Sequence, residues 1–137
     1  MKNAVTALLL SLLAIFSIAF SNAQVASDKP IRLVVPFSAG GPTDVLARVL
    51  APKLSSALKR TVIVDNRVGA GGRLAAQQLV NTPPEQTVLM IGNPAVMSVA
   101  PVIYKDLKYD VQKDFVPVAT VTDYDFAVAV SSALPVR

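Results

Sequence analysis

Ile31-Arg32-Leu33-Val34-Val35-Pro36-Phe37 runs directly into Ser38-Ala39-Gly40-Gly41-Pro42-Thr43-Asp44. The first half is short, apolar and rich in β-branched residues, and it ends at a proline, the pattern of a buried strand. The second half is a glycine turn whose proline suits a first helical position, where no N–H is required. Beyond it Val45, Leu46, Val49, Leu50, Leu54 and Leu58 recur at helical spacing. Pro52 lies inside that pattern and has no N–H for the carbonyl of Arg48, which predicts a kink or break there.

The alternation continues outward from this unit. Thr61-Val62-Ile63-Val64-Asp65 reads as a second strand, Asn66-Arg67-Val68-Gly69-Ala70-Gly71-Gly72 as a flexible turn, and residues 74–80 as a helix closed by Thr82-Pro83-Pro84. Thr87-Val88-Leu89-Met90-Ile91 is a third strand stopped by Gly92-Asn93-Pro94. Residues 95–104 follow as a helix disturbed by Pro101, residues 105–114 as a polar irregular stretch, and 115–121 and 125–130 as two further strands. Apolar strands alternating with helices imply an α/β fold with a mainly parallel open sheet. In such a sheet every strand-to-helix loop lies at the carboxyl edge. The glycine-rich loops 38–43, 66–72 and 92–94 therefore share one rim, where open α/β sheets bind ligands.

Composition narrows the chemistry. The chain has 137 residues, a formal net charge of +4, no cysteine, no histidine and no tryptophan. Without His or Cys, Ser-His-Asp and Cys-His catalysis and ordinary zinc sites are excluded within it. No metal or cofactor site is expected. Its basic residues are scattered and aromatics make up 6%, so a nucleic-acid surface, which needs a basic stripe with stacking aromatics, is not expected. Met1-Lys2-Asn3, an apolar run over residues 4–20 and Ser21-Asn22-Ala23 have the organisation of a signal peptide cleaved after Ala23. The alternative is a retained membrane anchor.

The loops hold the groups able to bind a ligand. Gly40 and Gly41, with the amides of Thr43 and Asp44, offer N–H groups at a helix start that suit a small carboxylate. Asp44 competes for the same positive end, and helix capping is its favoured role over ligand contact. No lysine follows Gly41, which excludes a Walker phosphate loop. In Gly69-Ala70-Gly71-Gly72-Arg73-Leu74 a leucine takes the third position of a dinucleotide fingerprint, so only a carboxylate cradle is retained there. Arg67 either clamps a ligand or pairs with Asp65. Asn93 either offers its amide to a ligand or shapes its turn. Asp106, Asp110 and Asp114 lack the glycine of a calcium loop.

Pro36-Phe37-Ser38-Ala39-Gly40-Gly41-Pro42-Thr43-Asp44 and Val62-Ile63-Val64-Asp65-Asn66-Arg67-Val68-Gly69-Ala70-Gly71-Gly72 resemble two hallmark segments of the Bug family. These are periplasmic solute-binding receptors of tripartite tricarboxylate transporters. The resemblance continues through Leu89-Met90-Ile91-Gly92-Asn93, Tyr104-Lys105-Asp106-Leu107-Lys108-Tyr109-Asp110 and Lys113-Asp114-Phe115-Val116-Pro117-Val118. It implies a type II periplasmic-binding fold, in which two α/β lobes close on a small carboxylate, and a non-enzymatic, monomeric protein serving membrane permease subunits from the periplasm. By position, Phe37, Ser38, Ala39, Gly40, Gly41 and Thr43 would form the first-lobe jaw, with Ala70, Gly71 and Asn93 beside it and Asp44 as a cap or structural residue. The sequence departs from the family at Lys59-Arg60, where a glycine commonly ends the first helix, at Val68, where a proline is frequent, and at Pro84-Glu85-Gln86.

The resemblance also divides the chain: a signal peptide over 1–23, a first α/β lobe over 24–124 and a hinge strand over 125–137 leading toward a second lobe that is missing. A truncated receptor is the expectation, binding carboxylates weakly or not at all because closure needs contacts from both lobes. The alternatives are a decayed, non-binding exported paralogue and an exported α/β enzyme using Ser38 or Ser98 near a lysine.

Overall fold

A computed structural model of the chain describes residues 29–125 and 127–134. The leader assigned to residues 1–23 lies outside the described residues. Among those described, no helix is long and apolar enough to cross a membrane.

Strand β1 (Ile31–Val35) is the centre of a three-stranded parallel sheet. It pairs with β2 (Val62–Asn66) on one side, Ile31 opposite Val62, and with β3 (Val88–Met90) on the other, Leu33 opposite Leu89. Helix α1 (Pro42–Leu58) connects β1 to β2, and α2 (Arg73–Val80), entered through a 3-10 turn at Ala70–Gly72, connects β2 to β3. The first connection steps outward from β1 and the second returns past it. Crossovers of one hand then lay the two helices on opposite faces.

The two apolar clusters match that arrangement. On one face Leu33, Val35 and Ile91 pack with Ala47 and Ala51 of α1. The alanines let the helix axis approach a sheet of bulky β-branched residues. On the other, Ala76 of α2 packs with Val96 and Tyr109, and Met90, Leu107 and Phe115 close around them. Leu89 and Met90 fall in different clusters because neighbouring strand residues point to opposite faces.

Both internal prolines are accommodated. Helix α1 runs unbroken through Pro52, so of the expected kink or break the break does not occur; Pro52 is exposed, so the carbonyl it fails to serve has access to water. Pro101 sits at the start of α3 (Ala100–Ile103), directly after a π-type turn at Ala95–Val99. The Ala100 amide donates to the Ala95 carbonyl, and this wider turn takes up the ring where a regular helix would clash. Residues 95–103 are thus helical, but in two geometries, and the helix expected to reach 104 ends at Ile103.

The strands expected at 115–121 and 125–130 do not form: the described residues there pair with no strand. Val116, Val118 and Val128 are 88%, 82% and 95% exposed. A β-branched run becomes a strand only when a ladder partner and a covered face are present, and among the described residues this segment has neither.

Candidate functional site at the carboxyl rim

All three strands point the same way, so the loops after β1, β2 and β3 emerge on one edge, as the sequence predicts. The order β2-β1-β3 places the topological switch point at the ends of β1 and β3. Loop 37–41 and Gly92-Asn93-Pro94 flank that point. Loop 66–72 is drawn in beside them at Gly72, a buried residue with φ +91°. A Cβ built on Gly72 would lie 2.7 Å from Val96 Cγ2 and 3.0 Å from Pro36 Cβ. Only a residue without a side chain lets the three loops meet this closely.

Asp44 organises the first loop. It is 2% exposed. Its Oδ2 accepts from the Gly40 amide at 2.8 Å and from Arg48 Nε at 2.8 Å, and its Oδ1 accepts from Asn66 Nδ2 at 3.0 Å. Hydrogen bonds from the Arg48 side chain and the Gly40 amide outweigh the cost of burial and hold the carboxyl at about 2. Asn66, at the end of β2, also donates to the Phe37 carbonyl at 3.0 Å, and the Arg67 amide donates to the Val35 carbonyl at 2.8 Å. Thus β2 clamps loop 37–41 from the side. The α1 N-cap is Gly41, without a side-chain cap bond; Asp44 instead reaches back one residue further, to Gly40.

This network decides which amides are already engaged. The Gly40 N–H is committed to Asp44, and the Gly41 N–H lies 3.4 Å from the Ser38 carbonyl. Pro42 has no N–H, and the first helical bond is Val45 to Gly41 at 3.0 Å. Thr43 and Asp44 therefore carry the first-turn donors without a helical acceptor. Ser38, Ala39 and Gly40 are exposed, Phe37, Gly41 and Thr43 half-buried.

The second and third loops differ. Ala70 and Gly71 are exposed and both adopt positive φ, 49° and 65°. Ala70 lies at the mouth of a groove along α2, to the side of the switch point. Asn93 caps its own turn: Oδ1 accepts from the Val96 amide at 3.0 Å. Its Nδ2 is buried and has no acceptor among the described residues. Such a donor costs free energy until an acceptor arrives.

Arg67 pairs with Asp65 at 3.0 Å, and Arg32 bonds the same carboxylate. Burial pushes the Asp65 carboxyl up, but hydrogen bonds from the two guanidiniums more than reverse this and hold it below the usual range. Two residues escape the sequence reading: Asn66, placed there in a flexible turn, and Tyr109, whose hydroxyl donates to the Val96 carbonyl at 2.8 Å. Nothing in their spacing announces either contact. Among the described residues no group of acidic side chains is placed to hold a metal ion.

Residues 46–137 match the family model of the tripartite tricarboxylate transporter family receptor. The chain belongs to that family. It is 44% identical over 128 residues to a UPF0065 protein of Bordetella bronchiseptica, covering 93% of this chain and 38% of that one. MatC from Rhodopseudomonas palustris, solved with bound malate, superposes with a TM-score of 0.64 at 34% identity over 68% of this chain and 32% of its own. The periplasmic binding protein BugD superposes with a TM-score of 0.57 at 38% identity over 61% of this chain and 27% of its own. The chain therefore spans about a third of the length of these relatives, and has the α/β architecture of a periplasmic-binding-protein lobe. Its family is one of solute-binding receptors, not enzymes, which removes the reading of Ser38 or Ser98 as a nucleophile.

Proposed function

We propose that this chain supplies the carboxylate-receiving lobe of an extracytoplasmic solute receptor, handing a small carboxylate to the permease subunits of a tripartite tricarboxylate transporter. The observation that carries this reading is the meeting of three loops at the β1/β3 switch point, with first-turn amides at Thr43 and Asp44 that have no helical acceptor and a buried Asn93 Nδ2 without one. MatC, similar in fold and sequence, holds malate. The jaw is formed by Phe37, Ser38, Ala39, Gly40, Gly41 and Thr43, with Gly71 and Asn93 beside it and Ala70 at its margin. Gly40 and Gly41 act by shape, since their amides are engaged within the loop. The protein works as a monomer in the periplasm, delivered by the leader at 1–23.

Affinity follows from the number of donors. An amide-to-carboxylate hydrogen bond contributes about 1.5–3 kcal/mol, and association costs at least about 4 kcal/mol. Two or three such bonds leave a dissociation constant of about 0.2 mM or weaker for this lobe alone. Ligand-observed saturation-transfer NMR on the purified chain tests it, with malate and its uncharged diamide compared at equal concentration. Saturable transfer to malate but not to the diamide is expected. Equal transfer to both, or to neither, overturns the reading.

A further inference from the structure

A groove of about 320 Å³ runs between the start of α2 and residues 103–109, to the side of the carboxyl rim. Its walls carry three cations, Arg73, Lys105 and Lys108, against the single acid Asp106. None of the three forms an ion pair with a described carboxylate, whereas Arg32, Arg48, Arg67 and Lys113 all do. Arg73 is also placed against the local field. It opens α2, whose first turn contains no acidic residue, so a cation sits at the positive end of the helix dipole. What holds it is the Tyr104 ring, with the guanidinium carbon 3.6 Å from the ring centroid. That stack fixes the guanidinium while leaving its charge uncompensated.

Apart from Gln77 and the two tyrosines, the rest of the groove is aliphatic. Leu74, Ile103 and Leu107 line it, Ile103 is 62% exposed, and its neighbour Val102 is 84% exposed. Arg and Tyr are the residue types enriched where protein interfaces hold most of their binding energy, and here the stacked pair sits beside exposed aliphatic side chains. We propose that this groove is a docking surface for an acidic segment of a partner protein, one that carries leucine or isoleucine between its carboxylates. Carboxylates meet Arg73, Lys105 and Lys108, and the aliphatic side chains cover Leu74 and Ile103. An anionic lipid surface is the poorer fit, because such binding draws on larger basic clusters than three cations and an acid. A free small carboxylate would leave the aliphatic part uncovered. The inference is independent of the ligand site at the switch point.

The test uses the chain itself and a fluorescein-labelled peptide in which glutamates alternate with leucines, followed by anisotropy. Controls are the same peptide with lysine for glutamate, vesicles of phosphatidylglycerol and phosphatidylethanolamine, and unlabelled malate at matched ionic strength. Lys105 and Lys108 are exposed, so the double variant K105E/K108E keeps the fold, which circular dichroism verifies; Arg73→Gln is the second variant. The acidic peptide is expected to bind, to weaken about tenfold in K105E/K108E, and to weaken further with salt. The lysine peptide, the vesicles and malate should neither bind there nor compete. No binding of the acidic peptide, equal binding to K105E/K108E, binding to vesicles in its place, or full displacement by malate would each overturn the proposal.

Discussion

The carboxylate of Asp44 accepts the Gly40 amide at 2.8 Å, so the rim's first loop is closed by an acid from its own helix. The loop conformation thereby depends on one ionised group. Asp44 is held at about 2, below its ordinary 3.8, chiefly by the Arg48 and Gly40 bonds. The folded state thus binds this proton more weakly than the unfolded chain. The stability Asp44 contributes is complete above its ordinary value and disappears as pH falls from there through about 2. Chemical denaturation of wild type and Asp44→Asn across that interval should show the wild type losing its advantage on acidification. Parallel pH profiles would contradict this.

Asn66 ties the end of β2 to the Phe37 carbonyl and to Asp44 Oδ1, both at 3.0 Å. Asn66→Ala leaves two part-buried acceptors without this donor, at an expected cost of about 1–3 kcal/mol. Urea denaturation measures it. A change below about 0.5 kcal/mol, the scatter of ordinary surface substitutions, would mean that water replaces the clamp without loss.

Gly72→Ala forces a Cβ into the 2.7 Å gap to Val96 Cγ2 at a backbone φ of +91°. Overpacking and a left-handed alanine together should destabilise the chain by about 2–4 kcal/mol. Adding Val96→Ala removes the contact with Val96 Cγ2 but neither the 3.0 Å approach to Pro36 Cβ nor the strained backbone. The double variant should therefore recover little in thermal denaturation, since it also loses a fully buried valine.

Lys59 ends α1 in the left-handed region, with φ 53° and ψ 33°. A glycine there avoids the Cβ penalty, and Lys59→Gly should stabilise by about 0.5–1 kcal/mol. A lower melting temperature for the variant would contradict it.

Tyr109→Phe deletes the hydroxyl that donates to the Val96 carbonyl at 2.8 Å and keeps the edge-on packing against Phe115 at 5.7 Å between ring centroids. The expected loss is about 1–2 kcal/mol. Hydrogen exchange should accelerate chiefly in the 93–100 turn, which that bond anchors.

These positions also separate what is legible in the sequence from what is not. The strands of 31–35, 62–66 and 88–90 and the helices between them are local matters of apolar period, glycine and proline, and those signals place the rim correctly. The pairing of Arg67 with Asp65 is also within reach, because the partners are two residues apart. Long-range contacts are not. Asn66 and Phe37 are 29 residues apart, and Tyr109 meets Val96 only after the chain has turned twice. The same limit explains the 115–130 segment. Its β-branched composition is that of a strand, but a ladder partner is a tertiary fact that composition does not contain. Pro52 fails to break α1 because the penalty of its missing N–H depends on whether the orphaned carbonyl faces water.

An amide-resolved heteronuclear NMR titration of this chain with malate is the most direct test of a carboxylate site at the meeting of the three loops. Saturable shifts are expected at the backbone amides of Thr43, Asp44 and Gly71 and at the Asn93 side-chain amide, with the amides of β2 and the 103–109 segment unmoved. Shifts confined to that segment, scattered among surface lysines, or absent at saturating malate would contradict such a site.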